Sequence, residues 1–153
     1  MLFNMKKIKI KKSFFILLLA SYEINTAEVN SWECSKFEGS SIIGDDGTYL
    51  GKLGPSWLSD SIFNSSSSYG NSWSQDSIFN SSSIFGSDFS NYSAFNDNAY
   101  NPPKIISDED GLIGFLASGS EWRSDYYNVL DFKYTCDWCP SYGRPSRCTD
   151  ARF

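Results

Sequence analysis

Four cysteines, 18 acidic side chains and no histidine delimit the chemistry open to this 153-residue chain. Without histidine there is no Ser-His-Asp or Cys-His nucleophile and no imidazole-ligated zinc or copper. A Gly-rich phosphate loop of the P-loop or dinucleotide type is absent as well. What remains is carboxylate chemistry. Two acids facing each other in one cleft can hydrolyse a glycoside, but the acids here sit in turns or at the starts of repeated units, and no spacing pairs two of them. No catalytic residue and no cofactor are therefore assigned, and a secreted hydrolase using acidic residues is the enzymatic alternative. Asp45-Asp46-Gly47 and Asp108-Glu109-Asp110-Gly111 cluster oxygens as calcium requires, yet neither has the spaced ligands of a calcium loop. They read as solvated turn acids, with a calcium- or carbohydrate-binding module as a further alternative.

How the thiols of Cys34, Cys136, Cys139 and Cys148 are read depends on the compartment. Lys6, Lys7, Lys9, Lys11 and Lys12 lead straight into Phe14-Phe15-Ile16-Leu17-Leu18-Leu19-Ala20. That is the charged-then-apolar order of a secretory signal peptide, expected here over residues 1–27 with cleavage after Ala27. The apolar run is far shorter than the roughly 20 residues that span a bilayer, so no stable membrane span is expected. The expected location is periplasmic or secreted, where cysteines oxidise.

Two disulfides can then form in three connectivities. Pairing Cys34 with one of the C-terminal three would tie the ends of the exported chain together, worth about 4 kcal/mol for a loop of roughly 100 residues. A zinc site of Cys136-x-x-Cys139 with Cys148 and Cys34 is the competing arrangement. Export and the lack of a second paired knuckle argue against it. The thioredoxin-like string Cys136-Asp137-Trp138-Cys139-Pro140 lacks the strand–helix context of a redox motif.

Charge narrows the partners. Five of the 13 basic residues lie before residue 13, and Glu23 alone of the 18 acids precedes residue 28. The exported part is strongly acidic and repels phosphate, so no nucleic-acid partner is expected; a protein or glycan partner stays open.

The elements that would position any site are organised by a repeat. Asp60-Ser61-Ile62-Phe63-Asn64 returns sixteen residues on as Asp76-Ser77-Ile78-Phe79-Asn80, and more loosely as Tyr92-Ser93-Ala94-Phe95-Asn96. Gly54, Gly70 and Gly86 fall in register, as do Trp57, Trp73 and Phe89. Neither helical nor strand periodicity persists for more than a few positions, so the repeat region, residues 54–100, is read as turns. Asp, Ser and Asn side chains bond the backbone two or three residues on. Sixteen serines between Ser56 and Ser93 would also suit a flexible linker, but linkers rarely carry rings at a constant interval. Trp57, Trp73 and Phe89 are expected as pegs buried between units; exposed, they become candidate binding aromatics for sugar rings or partner side chains.

Either side of the repeat, Asp46-Gly47-Thr48-Tyr49-Leu50-Gly51-Lys52-Leu53 and Asp110-Gly111-Leu112-Ile113-Gly114-Phe115-Leu116 read as turns opening strands. Each follows an Ile-Ile pair, Ile42-Ile43 and Ile105-Ile106, so two hairpins are expected. Strands are predicted at 48–53, 112–117 and, from the alternation of Leu130, Phe132 and Tyr134 with Asp131 and Lys133, at 130–134. Pro102-Pro103 closes the repeat. The fold class is thus mainly β with much irregular structure. One small domain, residues 28–153, has short strands flanking a turn-rich repeat and a cysteine-containing segment at 121–153, after an N-terminal signal-peptide helix.

From Gly47 to Leu116, just under half of the chain, these motifs resemble a group of short uncharacterised bacterial proteins. Those proteins have tandem Asp-Ser-Ile-x-Asn repeats flanked by Asp-Gly-x-Tyr-Leu-Gly-type segments. Where this chain has Ser65 to Ser68 and Ser81 to Ser83, members of the group are richer in Tyr-Gly and Pro. The resemblance implies a heritable module and no catalytic residue. A non-enzymatic exported scaffold or binding module is the expected function.

Overall fold

The structure, a computed structural model, describes Val29, Ser31, residues 33–119 and 123–136, and Trp138. The signal segment, Cys139 and Cys148 lie outside the described residues. Among the described residues five strands form one sheet: β1 (Ser41–Ile43), β2 (Tyr49–Lys52), β3 (Lys104–Ser107), β4 (Gly111–Leu116) and β5 (Tyr126–Tyr127). Their order is β2-β1-β3-β4-β5, antiparallel except for the β4–β5 pair. Among the described residues two short helices, α1 (Cys34–Phe37) and α2 (Val129–Thr135), complete the regular structure. The sheet-dominated architecture agrees with the reading of the sequence, and both Ile-Ile hairpins form.

Turn chemistry explains the hairpins. Asp46 accepts the Thr48 N–H at 2.9 Å, and Gly44 and Thr48 close the β1–β2 turn with an N–H···O bond of 2.8 Å. Gly47 and Gly111 stand at φ +88° and +73°, left-handed backbone that costs an L side chain about 1–2 kcal/mol and glycine little. Asp-Gly therefore fixes where each second strand begins. The hairpins lie side by side, Ser41, Ile42 and Ile43 pairing with Ile106, Ile105 and Lys104. Ile42, Leu50, Ile105 and Leu116 are fully buried on them.

Everything between β2 and β3 is a coil of turns built on a simple register. Backbone N–H groups of Ser61, Asn64, Ser67, Ser74, Ser77, Asn80, Ser83, Ser90 and Ser93 each donate to the carbonyl three residues back. At Asn71 and Ser87 the step lengthens to four, with bonds to Ser67 and Ser83. Four steps of three and one of four make the sixteen-residue interval. From Ser61 to Asn96 every residue in this register is Ser or Asn. Most accept the N–H two residues on as well, as Ser61 does from Phe63, Asn71 from Trp73 and Asn96 from Asn98. Such local bonds satisfy backbone that forms neither helix nor ladder.

Glycine marks the four-residue step. A Cβ on Gly70 would stand 2.2 Å from the Asn64 carbonyl oxygen, and one on Gly86 2.3 Å from that of Asn80. Only a bare α-carbon lets the chain fold back so closely. The coil is fastened at both ends. Lys52 on β2 exchanges N–H···O bonds with Asp60 and Ile62, and beyond β4 Ser118 N–H donates to Ala94 O.

The core runs through sheet, coil and helices. Ile62, Ile78 and Ala94 are fully buried, and the rings that follow them, Phe63, Phe79 and Phe95, lie with centroids 6.4 and 5.9 Å apart. The ring contacts continue from Phe63 to Trp138, Phe132 and Phe37 at 6.0, 5.9 and 5.0 Å. Cys34 and Cys136 form a disulfide across 102 residues of sequence, beside the Phe37–Phe132 contact. A zinc site that used these two thiols is thereby overturned.

Two further expectations are corrected. The strand predicted at 130–134 is α2: Asn128 Oδ1 accepts the Leu130 N–H at 2.9 Å as an N-cap, and Val129 and Phe132, three apart, form the buried face. Trp57, Trp73 and Phe89 are not buried pegs. The apolar pair of each unit, Ile62-Phe63, Ile78-Phe79 and Ala94-Phe95, goes inward, and the isolated ring is left outside.

A candidate binding surface on the turn coil

Each of Trp57, Trp73 and Phe89 is the third residue of the turn closed by Leu58, Ser74 and Ser90 respectively. The backbone fixes the last two, because Trp73 N–H donates to Asn71 Oδ1 and Phe89 N–H to Ser87 Oγ. The three rings thus stand at equivalent turns of successive units, and all three face solvent. They are 69%, 87% and 92% exposed. Six residues further along each unit, Phe63 and Phe79 are buried and Phe95 packs against the core.

A polar spine holds the turns that carry these rings. Asn64, Asn80 and Asn96 donate from Nδ2 to the carbonyls of Leu58, Ser74 and Ser90 at 2.8, 2.9 and 3.0 Å. Those carbonyls belong to the residues next to the rings. The same Asn side chains accept from Ser66, Ser82 and Asn98 N–H groups at 3.0, 2.9 and 2.9 Å. Ser67 and Ser83 hydroxyls donate to Asn64 and Asn80 carbonyls at 2.9 and 3.0 Å. Among the described residues no buried side-chain polar atom lacks a partner.

Leu58 and Tyr92 are further exposed apolar side chains of these units. Two residues after each ring stands an exposed hydroxyl or amide: Ser59, Gln75 and Asn91. No lysine or arginine occurs between Lys52 and Lys104, while Asp60, Asp76, Asp88 and Asp97 do. Sequence reasoning found the aromatics but sent them inward, and it missed the spine. A period of three in Ser and Asn was the available signal, masked by the surrounding serines.

Tyr49, Arg123 and Asp125 are locked in hydrogen bonds. Burial, followed by the Asp60 carboxylate, pushes the Tyr49 hydroxyl up to about 12, so it stays a hydrogen-bond donor, here to Asp60 Oδ2 at 3.4 Å. Arg123 grips Asp125 through Nε at 3.0 Å and Nη2 at 2.9 Å and lies over the Tyr126 ring. The guanidinium hydrogen bonds hold the Asp125 carboxyl below its ordinary range, and the carboxylate raises Arg123. Both stay charged.

The turn acids act structurally. Asp45 pairs with Lys104 Nζ at 2.8 Å, and Asp46 caps Thr48 N–H, a bond that lowers its pKa. Among the described residues no group of three or more His, Cys, Asp or Glu side chains could hold a metal, and no helix is long and apolar enough to cross a membrane. No family model, curated protein or solved structure matches the chain.

Proposed function

We propose that this chain is an exported, non-enzymatic bacterial module whose coil presents a binding face to a partner outside the cytoplasm. The observation carrying this reading is that Trp57, Trp73 and Phe89 recur at the same turn of three successive units and are each largely exposed. Large apolar side chains grouped on a polar surface mark interaction sites. Export is supported by the Lys6 to Ala20 pattern and by the Cys34–Cys136 bridge, which persists in an oxidising compartment. The states of Tyr49, Arg123 and Asp125 suit structure rather than proton transfer.

Two measurements test the reading. Mass spectrometry of the protein from producing cells, with and without reductant, is expected to show loss of the N-terminal segment and a reducible bridge. Co-sedimentation with the producing cells' own envelopes is expected to fall at least tenfold when all three rings become alanine, with an unchanged circular dichroism spectrum. An uncleaved, fully reduced cytoplasmic chain, or envelope retention indifferent to the rings, refutes it.

A further inference from the structure

We infer that the outer face of the coil receives the chain's own arginine segment, residues 139–153, with Arg144, Arg147 and Arg152 set against the ring and carboxylate pairs of the repeat. This rests on the binding-module reading above and names the first occupant of that face. Each unit places an aspartate close in sequence to its exposed ring: Asp60 after Trp57, Asp76 after Trp73 and Asp88 before Phe89. From Leu53 to Pro103 no lysine or arginine balances them. An arginine answers both members of such a pair, because its guanidinium bonds a carboxylate while its flat, weakly hydrated face stacks on a ring. The molecule already contains one example. Arg123 holds Asp125 through Nε and Nη2 at 3.0 and 2.9 Å, with its Cζ 4.6 Å from the centroid of the Tyr126 ring.

The fold delivers the segment to this face. Trp138 is buried, its ring stacked on Phe132 with centroids 5.9 Å apart, and its carbonyl accepts the Ser56 N–H at 2.8 Å. The chain is thus held beside the residue that precedes Trp57. Residues 139–153, which lie outside the described residues, carry three arginines against one acid, Asp150. Extended at about 3.3 Å per residue they reach roughly 50 Å, beyond the roughly 30 Å diameter of a small domain, so every unit of the coil is within range. Tethering holds the arginines near the face at an effective concentration of about millimolar order. Contacts too weak to retain a free peptide are populated under those conditions, and any other basic partner has to compete with them.

The test compares the purified, disulfide-bonded protein with its Arg144→Gln/Arg147→Gln/Arg152→Gln variant. The readout is the indole N–H resonances of Trp57 and Trp73, assigned with Trp57→Phe and Trp73→Phe. Both resonances are expected to move in the glutamine variant. High salt screens exposed charge pairs, so it is expected to move the parent's resonances toward the same positions. The salt shift needs no arginine substitution and reads the contact even where the glutamine variant fails to fold. Dilution of the parent is expected to leave both positions unchanged, as a contact within one chain requires.

Indole positions identical in parent and glutamine variant, or indifferent to salt, overturn the assignment. So does a position that changes on dilution, which places the arginines on a second copy. Envelope co-sedimentation separates the two levels of inference. With the face no longer shared, the glutamine variant is expected to bind envelopes about threefold more strongly than the parent. Ring-dependent binding that is equal in the two proteins leaves the binding module standing and removes its internal occupant. Arginine-dependent indole shifts combined with envelope retention indifferent to the rings do the reverse.

Discussion

Asn80 carries the logic of the coil at the level of one residue. It is buried, donates to Ser74 O and accepts from Ser82 N–H, tying three successive turns with one side chain. Alanine there deletes both bonds and strands the Ser82 N–H, so Asn80→Ala is expected to lose about 2 kcal/mol in urea denaturation. Exposed Ser81→Ala should change stability by less than about 0.5 kcal/mol. Tyr49 makes a second prediction at this scale. Its folded pKa, about 12, lies above the ordinary 10.0. Its stabilising contribution is therefore complete below pH 10 and is lost as pH rises toward 12. Asp60→Asn removes the second of its causes, so the phenolate absorbance of Tyr49 should appear at lower pH in that variant. An unmoved titration would show that burial alone holds the phenol up.

At the level of elements, α2 shows what local sequence can and cannot decide. Leu130, Phe132 and Tyr134 alternate with Asp131 and Lys133, a strand pattern, but Asn128 caps the segment and Val129 with Phe132 gives the helical face that meets Phe37 and Trp138. Tertiary packing against a ring cluster outweighs a five-residue alternation. Asn128→Ala should cost about 1 kcal/mol of stability, read by thermal melting; no loss would mean that packing alone sets the helix.

The hairpins were legible because Asp-Gly imposes its turn locally, whichever way the rest of the chain folds. The coil was legible only in part. Asx and Ser/Thr turns follow from side-chain chemistry, but which of the rings in a unit face inward depends on the core they pack against. Trp57, Trp73 and Phe89 could therefore be named as candidates and not placed.

For the whole molecule, one crosslink and one count matter. The Cys34–Cys136 bridge closes a loop of 102 residues, and breaking it with Cys34→Ser should lower stability by about 4–5 kcal/mol. That is a large share of a typical 5–15 kcal/mol domain, and denaturation with and without reductant measures it.

The count is the number of coils, which the sheet sets. The first coil bonds to β2 through Lys52, while Phe85 of the second lies where a Cβ on Gly44 would be, 2.6 Å from its ring. The last takes Ser118 N–H from the end of β4 at Ala94 O, and a Cβ on Gly119 would stand 2.1 Å from Asp97 O. A free solenoid gains stability with every added unit, because each unit meets only its neighbours. Here both ends are fixed to strands whose separation is set by the β1–β3 pairing. Duplicating residues 71–86 keeps the turn register intact but pushes the two anchorages apart. The expected product is folded and less stable, with Ser118 N–H losing its hydrogen-exchange protection while Lys52 and Ile62 N–H keep theirs. A longer protein at least as stable as its parent, with all three amides protected, would show that coils add freely and that the sheet does not limit them.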